Sequence, residues 1–416
     1  MKRNKVLKAL AIVAILVGVF FMGAFTNAEA YYYQRIEKYK LHPVFDILDY
    51  IDRNYYDIEK VDYDKILDEA LKGTMKGLDD PFAWYFDPIQ TRENEIDTSS
   101  KYGGIGSVVQ YNTEFDCLQV VAPMAGSPSE RVGLRSGDLI VTIDGTPVSS
   151  VGYYQSVNML RGQPGTNVII EVYRDNNPEP LYFEITREII ELKNVKSEVI
   201  EFEDNLISYI QITGFNAPTY EEFKAALDNT RNSQAYIIDL RNNPGGLLQS
   251  VKNIASLILP KGQRVITIRY RDGQEEVYNS WGSRYNSYFK DKPVVILINE
   301  GSASASEILT GALKDHGIAT VIGTKTFGKA AVQTVYNLSN GGSIWLPTAN
   351  YYTPNGDNIH LRGIEPNITV EATVTAEGEG SRALTLSTSS VNLESDIQLL
   401  KALEVVLEKL GVGVAN

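Results

Sequence analysis

A run of small residues follows one strongly apolar stretch of the chain. Residues 294–299 read VVILIN, and residues 300–307 read EGSASASE. A glycine followed by small side chains lets the backbone turn sharply from a strand into a helix, which would place Ser304 at the helix N-terminus. The unpaired N–H groups and the helix dipole can stabilise an oxyanion there. Ser304 is therefore a candidate nucleophile, although Ser304 and Glu307 also have the spacing of an ordinary capping box.

A second segment, residues 326–333, reads TFGKAAVQ. Together with the SASASE run at residues 302–307, it resembles the signature of the C-terminal processing peptidases, the carboxyl-terminal or tail-specific proteases of serine peptidase family S41. The resemblance implies that Ser304 is the nucleophile, that Lys329 is the general base and that Gln333 orients the lysine.

A third segment, residues 239–247, reads DLRNNPGGL and also fits the family. The resemblance implies that a glycine N–H of this segment forms the oxyanion hole together with the N–H of Ala305. It does not decide between Gly245 and Gly246.

A Ser-Lys pair can act only if the amine of Lys329 is neutral. An unperturbed lysine has a pKa near 10.4, so the amine must be buried to be neutral near pH 7. The apolar neighbours Phe327, Ala330 and Val332 are expected to bury it, and Gln333 supplies a hydrogen-bond partner without a charge. Two alternatives stay open, because Lys329 could be a solvated surface residue and Lys325 could be the base. The family more often has glycine at the position of Ala330, and tyrosine or histidine at the position of Phe82.

The three histidines do not suggest a Ser-His-Asp triad. His316 falls at the far end of the helix that Ser304 would start, roughly 18 Å away at 1.5 Å per residue. It is expected to interact with the helix C-terminus. His360 lies in a loop and is given a structural role, and His42 precedes a proline, where a helix boundary is expected.

Composition excludes several classes of function. Asp plus Glu outnumber Lys plus Arg by 52 to 39, and the net charge of −13 argues against a nucleic-acid partner. Cys117 is the single cysteine and only three histidines are present, so neither a disulfide nor a soft-ligand metal site is expected. We expect no metal and no cofactor.

The first 30 residues predict an export signal. They combine a basic start at Lys2 and Arg3, an apolar run over residues 9–25, and Ala28-Glu29-Ala30 as a small-x-small cleavage site. The apolar run is at the short edge of what spans a bilayer. Residues 1–30 are therefore a signal peptide or a membrane anchor, and the body is predicted to be extracytoplasmic, either anchored, secreted or periplasmic.

Residues 31–99 have a helical period, and residues 98–100 are expected to be a linker. Residues 100–188 change to the period of strands, with a short helix near residues 127–133 and GLRSGD at residues 133–138. This module resembles a PDZ domain of the bacterial protease type. The resemblance implies that the loop Gly103, Gly104, Ile105 and Gly106 binds a peptide's C-terminal carboxylate while the peptide adds to the sheet edge.

One residue of this module has two interpretations. Arg161 could connect the PDZ domain to the remainder of the protein, or it could be a solvated surface arginine.

Residues 189–375 alternate strands with helices and end in two strands around Asn340-Gly341-Gly342, which predicts a hairpin. Residues 376–416 are expected to form a linker and an amphipathic helix whose apolar stripe must pack on the same chain or on a second subunit. The fold class is α/β, with a layered core like those of ClpP and crotonase, a mainly β PDZ domain and helical terminal regions.

These observations predict an exported serine endopeptidase that selects polypeptides with free C-termini through its PDZ domain. The membrane would be contacted through the N-terminal segment, and a homo-oligomer could form through the terminal helices. Two other classes stay open, a non-catalytic PDZ scaffold and a crotonase-like acyl-CoA enzyme.

Overall fold

The computed structural model describes residues 31, 33–174, 177, 179–371 and 396–412. The predicted export signal and most of the predicted linker before the last helix lie outside the described residues. The chain divides into two compact units, Met1–Gly73 and Thr74–Asn416. A search of the described residues finds no helix with the length and apolar character needed to cross a membrane.

The first unit contains short amphipathic helices, as the sequence predicts. They are α1 (His42–Asn54), a single 3₁₀ turn (Ile58–Lys60) and α2 (Tyr63–Lys76), which extends past the end of the unit. The helix boundary expected at His42 is confirmed, with Pro43 in the first turn of α1. Apolar side chains of α1, such as Val44 and Ile47, are exposed.

The second unit begins with a strand and a helix, β1 (Trp84–Phe86) and α3 (Pro88–Ser99). A capping box starts α3, because the Asp87 carboxylate accepts from the Gln90 N–H at 2.8 Å and the Gln90 side chain accepts from the Asp87 N–H at 3.2 Å. The linker predicted at residues 98–100 is wrong. Thr98 and Ser99 form the last turn of α3, and Ser100 ends the helix with a φ of 54°.

The mainly β module is also present. Its elements are β2 (Lys101–Gly104), β3 (Ser107–Asn112), β4 (Cys117–Pro123), α4 (Pro128–Arg131), β5 (Leu139–Ile143), β6 (Thr146–Pro147), α5 (Val148–Leu160), β7 (Asn167–Tyr173), β8 (Leu181–Thr186) and β9 (Glu188–Glu191). The entry strand β2 pairs with the exit strand β9. The sheet has the order β3-β4-β5-β7-β8, so β3 is an edge strand.

An α/β layered core follows. Its elements are β10 (Val195–Phe202), β11 (Asn205–Ile212), α6 (Thr219–Asn229), β12 (Ala235–Asp239), α7 (Leu248–Ile258), β13 (Arg264–Tyr270), β14 (Glu275–Asn279), α8 (Asn286–Phe289), β15 (Val294–Ile298), α9 (Ala305–Asp315), β16 (Thr320–Gly323), β17 (Ala331–Asn337), β18 (Ser343–Tyr352), β19 (Ile368–Thr369) and α10 (Ile397–Leu410).

The central sheet of this core has the order β10-β11-β12-β15-β16-β19. Strands β11, β12, β15, β16 and β19 are parallel, and every residue of β12 and β15 is buried. This explains their continuous apolar sequence, because a parallel strand in the middle of a sheet is covered on both faces. Ile238 and Ile296 pack on one face, against helices including α7 and α9, whereas Ile237 and Val295 pack on the other face.

The last helix covers that second face. Leu399, Leu403 and Val406 of α10 are fully buried against it. The stripe predicted to need a partner therefore packs on its own chain.

A second sheet holds the predicted hairpin. Strands β17 and β18 pair antiparallel, and β18 also pairs with β1 and β13, with β14 beyond β13. This arrangement joins the segment after Asp80 to the hairpin that begins directly after Lys329.

Candidate active site

Ser304 lies at a sharp turn between β15 and α9. Its backbone has φ 52° and ψ −112°, a conformation that costs energy for any residue with a side chain. The strand β15 ends at Ile298 and α9 begins at Ala305, so the turn presents Ser304 at the helix N-terminus, as predicted.

The two neighbouring serines of the SASASE run are engaged elsewhere. Ser302 Oγ donates to the carbonyl of Leu240 at 2.8 Å, and Ser306 Oγ donates to the carbonyl of Asn243 at 2.9 Å. Both side chains are fully buried, whereas Ser304 is partly exposed. The hydrogen bonds of Ser302 and Ser306 therefore connect the turn to the loop after β12. Ser304 is the serine of this run that a substrate could reach.

Gly245 and Gly246, which the sequence could not distinguish, contact different parts of the structure. A Cβ atom added to Gly245, whose φ is +105°, would lie 2.8 Å from Ser304 Cβ and 2.9 Å from Ala305 N. A Cβ atom on Gly246 would instead collide with the backbone of Phe215. Gly245 thus contacts the nucleophile turn, and Gly246 permits close packing of the loop on Phe215.

Asn243 holds this loop in place and was not predicted from the sequence. Its side chain is fully buried, donates through Nδ2 to the carbonyl of Ile212 at 2.7 Å, and accepts through Oδ1 from the Gly245 N–H at 2.9 Å. Its carbonyl accepts from the Ala303 N–H at 3.0 Å. Asn243 therefore sets the position of Gly245 relative to the nucleophile turn.

Lys329 and Gln333 are in direct contact. Lys329 Nζ donates to Gln333 Oε1 at 2.8 Å, and Gln333 Nε2 donates to the carbonyl of Phe82 at 2.7 Å. The amine also lies 5.7 Å from the centre of the Phe82 ring. The amide of Gln333 is thus oriented at both ends, with its oxygen toward the lysine.

Burial lowers the pKa of Lys329, against the opposing effect of the Glu307 carboxylate. Of the apolar neighbours expected to bury the amine, Ala330 and Ala331 are buried, whereas Phe327 is 58% exposed. Phe82 takes that role instead, as its ring is buried and packs beside the amine. The N–H of Phe82 donates to Asp80 at 2.8 Å, so the DDP stretch before it positions this ring.

Lys325, the alternative base, lies on the surface. It forms an ion pair with Glu365 at 2.8 Å, and its side chain is 51% exposed. Its amine is therefore neither held by Gln333 nor shielded from solvent, in contrast to that of Lys329.

Glu307 joins the turn at Ser304 to the loop that carries Lys329. Its buried Oε2 accepts from the N–H of Ser304 at 2.9 Å and from the N–H of Lys329 at 2.8 Å. Its Oε1 accepts from Thr326 Oγ1 at 2.6 Å and from the Gly328 N–H at 2.7 Å. Burial raises the pKa of Glu307, and these four donors oppose that change. The capping contact expected from the sequence therefore extends to the loop that carries the lysine.

Tyr351 of β18 joins the same two segments through their carbonyl groups. Its hydroxyl lies 2.5 Å from the carbonyl oxygen of Lys329 and 3.1 Å from that of Ser304. The side chain is buried, and burial raises the pKa of Tyr351 well above its ordinary value. The hydroxyl is therefore a neutral donor shared between the two carbonyls.

The serine and lysine side chains are not hydrogen-bonded to each other in this structure. Among the described residues, Lys329 Nζ forms its hydrogen bond to Gln333, and Ser304 Oγ forms none with it. Hydrogen bonds between catalytic groups often tighten only when a substrate binds. The arrangement supplies a hydroxyl at a helix N-terminus, the N–H of Ala305 beside it, and a partly buried amine on a loop held by the same carboxylate.

Comparisons with known proteins identify the family of the chain. The model of peptidase family S41 matches residues 206–370, and a PDZ domain model matches residues 119–174. The carboxyl-terminal-processing protease of Synechocystis sp. is 35% identical over 350 residues, which cover 83% of this chain and 78% of that protein. The carboxy-terminal processing protease CtpA of Bacillus subtilis is 35% identical over 323 residues, covering 77% of this chain and 67% of that protein.

The chain belongs to peptidase family S41. It is a serine-type peptidase with a PDZ domain, and the predicted α/β fold class is confirmed. Among solved structures, the photosystem II D1 C-terminal processing protease is 28% identical with a TM-score of 0.45, covering 73% of this chain and 81% of that one. Membership of this family excludes the crotonase-like acyl-CoA enzyme.

In this S41 peptidase, a buried ionic network connects the last helix to the loop that carries Gly245. Arg241 donates to Asp239 at 2.6 Å and to Asp396 at 2.7 Å. Asp396 also caps α10, because its carboxylate accepts from the Leu399 N–H at 3.0 Å. Docking of α10 is thus coupled to the loop after β12.

The predicted carboxylate-binding loop of the peptidase lies between β2 and β3. Gly103 and Gly104 belong to β2, whereas Ile105 and Gly106 lead into the edge strand β3, and Gly106 has a φ of +75°. The carbonyl of Gly106 accepts from Ser129 Oγ at 2.8 Å. An edge strand after this loop is the arrangement that β-strand addition requires.

Arg161 contacts a helix outside the PDZ sheet. Its guanidinium lies 3.7 Å from Glu93 of α3 and 5.2 Å from the centre of the Tyr102 ring. The side chain is 22% exposed, so the interpretation as a connecting residue is favoured over a solvated arginine.

In the described part of the chain, neither His316 nor His360 forms a hydrogen bond with the Ser304 hydroxyl. His316 ends α9, and its Nε2 lies 2.7 Å from the carbonyl of Arg264, which confirms the expected position at the helix C-terminus. His360 packs against Phe82 with ring centres 5.5 Å apart. Within the described ranges, no group of three or more His, Cys, Asp or Glu side chains could hold a metal ion.

Proposed function

We propose that this S41 peptidase is an exported endopeptidase that cleaves polypeptides with Ser304 as nucleophile and Lys329 as general base. One observation carries the proposal. A single carboxylate oxygen of Glu307 accepts hydrogen bonds from the backbone of both residues, while the lysine amine is partly buried and donates to the neutral amide of Gln333. This supports a lysine that is neutral and fixed in relation to the serine.

In the proposed reaction, the neutral amine of Lys329 removes the proton from Ser304 Oγ as this oxygen attacks the scissile carbonyl carbon. The protonated amine then donates this proton to the leaving nitrogen, and an acyl-enzyme and a free amine remain. Water attacks the ester carbonyl, gives a proton to Lys329 and releases the acid. The lysine finally returns a proton to Ser304 Oγ.

The oxyanion is proposed to accept hydrogen bonds from the N–H groups of Ala305 and Gly245. Ala305 is the first residue of α9, where the N–H has no partner within the helix and the dipole favours a negative charge. Gly245 contacts this turn, and its N–H donates to Asn243 in the free protein. In this proposal the oxyanion shares that donor with Asn243 Oδ1.

The PDZ domain is proposed to select polypeptides with free C-termini. The supporting features are the glycine loop at residues 103–106 and the edge position of β3, which together offer N–H donors and a strand to pair with. The contact between Arg161 and Glu93 gives the domain a connection to α3, whose last turn leads into β2.

Export is proposed from the basic start and apolar run of residues 1–30. Fractionation of the native cells tests it, with the protein expected in the membrane, envelope or external fraction. Recovery of the full-length chain from the cytoplasmic fraction would reject export. A homo-oligomer through the terminal helices would rely on α1, since the stripe of α10 is buried within its own chain.

The cleavage reaction is tested with the purified full chain and an unfolded polypeptide. The wild-type protein is expected to produce fragments, and Ser304→Ala is expected to produce none while keeping the wild-type circular dichroism spectrum. A protein that binds the polypeptide but never cleaves it would support the PDZ scaffold instead.

A further inference from the structure

A cavity of about 380 Å³ lies beside the catalytic hairpin. It is lined by residues of β17, β18 and α3 and by Leu247 at the start of α7. Most of its surface is apolar, and Val335, Trp345 and Ala217 contribute to it. None of these side chains takes part in the proposed chemistry.

The cavity continues the face of β17 that carries Gln333. Residues two apart on a strand share a face, so Gln333, Val335 and Asn337 lie in one row. Val335 lies opposite Trp345 and Asn337 lies opposite Ser343, and all four residues line the cavity. At about 3.4 Å per residue, the cavity spans the region roughly 7 to 14 Å along the strand from Gln333.

Leu247, another lining residue, belongs to the loop that contacts Ser304. It follows two residues after Gly245, the glycine that contacts Ser304 and Ala305. The N–H of Leu247 donates to the carbonyl of Phe215 at 2.6 Å, which fixes this residue to the core. The segments that carry Gln333 and Gly245 thus each continue within two residues to a side chain that lines the cavity.

We propose that this cavity is a specificity pocket for one large apolar side chain, aromatic or long aliphatic, of the polypeptide substrate. Extended peptides also advance about 3.4 Å per residue, so this side chain lies two to four residues from the scissile bond. This proposal rests on the proposed peptidase function and adds a sequence preference near the cut.

The first test maps the cuts that the wild-type protein makes in an unfolded protein, by mass spectrometry. Large apolar residues are expected to be enriched at one position within four residues of the cut. Two synthetic peptides are then made from a good cut site, with Phe or Ala at that position. The Phe peptide is expected to have a kcat/KM at least about tenfold higher, because a cavity discriminates between side chains of such different size.

Two variants then test whether the preference for Phe over Ala arises in this cavity. Ala217→Trp places an indole in the cavity and is expected to reduce the Phe to Ala ratio to near one. Val277→Trp adds the same side chain at an exposed position of β14 outside the cavity and is expected to leave the ratio unchanged. A ratio that survives in Ala217→Trp, or a wild-type protein without any enriched position, would overturn the proposal.

A binding experiment separates this proposal from the peptidase function. Labelled hexapeptides of Ala and Ser, with a single Phe or with none, are titrated into Ser304→Ala and followed by fluorescence anisotropy. Tighter binding of the Phe peptide supports the pocket even if the wild-type protein cleaves nothing. Cleavage with no preference in kinetics or binding would overturn the pocket and leave the peptidase function standing.

Discussion

Ser304 and Lys329 donate their backbone N–H groups to the same oxygen atom, Oε2 of Glu307, at 2.9 Å and 2.8 Å. The separation of the two catalytic segments is therefore fixed by one side chain rather than by a long path through the sheet. Their carbonyl groups share the hydroxyl of Tyr351 in the same way. The predictions below concern the lysine, its pKa, these two bridging residues and the PDZ domain.

Replacing the lysine should remove activity without unfolding the protein. Lys329→Ala is expected to abolish cleavage, because no other amine of the described site is held by Gln333. Lys325→Ala is the matched control, four residues earlier and on the surface, and should retain wild-type kcat/KM. Cleavage by Lys329→Ala at near the wild-type rate would contradict the proposed base.

The rate should depend on pH through the lysine. Only the neutral amine can act as a base, so kcat/KM should rise as Lys329 loses its proton. Burial lowers its pKa, and the rise is therefore expected well below the ordinary lysine value of 10.5. A pH profile of kcat/KM measures this directly. A rise that begins only near 10.5 would show that the amine is not perturbed.

Glu307 should matter for kcat more than for KM. Glu307→Gln places an amide where four donors converge, so at least one N–H or hydroxyl loses its acceptor. We expect a loss of about 1–3 kcal/mol in the free energy of unfolding and about a hundredfold in kcat, since small misplacements of catalytic groups are costly. Glu300→Gln, an exposed carboxylate in the same turn, should have neither effect. An unchanged kcat in Glu307→Gln would refute the bridging role.

Tyr351→Phe removes the hydroxyl shared by the two carbonyls and keeps the ring. The free energy of unfolding should fall by about 1 kcal/mol, and kcat should fall while KM stays constant. Tyr352→Phe is the adjacent control, because its ring packs on Arg269 and not on the site. Denaturant unfolding and steady-state kinetics measure both effects. Equal kinetics for the two variants would assign Tyr351 a purely structural role.

A free C-terminus should accelerate cleavage if the glycine loop binds carboxylates. One unfolded substrate is compared with its C-terminally amidated form at subsaturating concentration, and the amidated form is expected to be cleaved several-fold more slowly. Equal rates would mean that this PDZ domain does not recognise the tail by its charge.

The sequence predicted the parts of the site that are encoded by local motifs. Ser304, Lys329 and Gln333 were identified because each lies in a short distinctive segment, and the core strands because burial on both faces makes them continuously apolar. Helix α3 lies within residues 31–99, which were predicted to be helical, but its start was not located although Asp87 and Gln90 have capping-box spacing. That signal could have located it.

Other parts required tertiary structure. Phe82 is distant from Lys329 in sequence and reaches it only because β1 pairs with β18. Phe327, next to the lysine in sequence, projects into solvent instead. Gly245 is preferred over Gly246 as the oxyanion-hole glycine because it approaches Ser304 and Ala305, whereas Gly246 approaches Phe215. The spacing of residues in the sequence does not predict these contacts.

The docking of α10 has a consequence for biosynthesis. This helix is the last element that the structure describes, so the sheet residues that pack on Leu403 and Val406 are made before the helix that covers them. Arg241 likewise has only the carboxylate of Asp239 until Asp396 is in place. A chain truncated before Asp396 is therefore expected to expose an apolar sheet face and to aggregate more readily during synthesis than the chain with α10 docked.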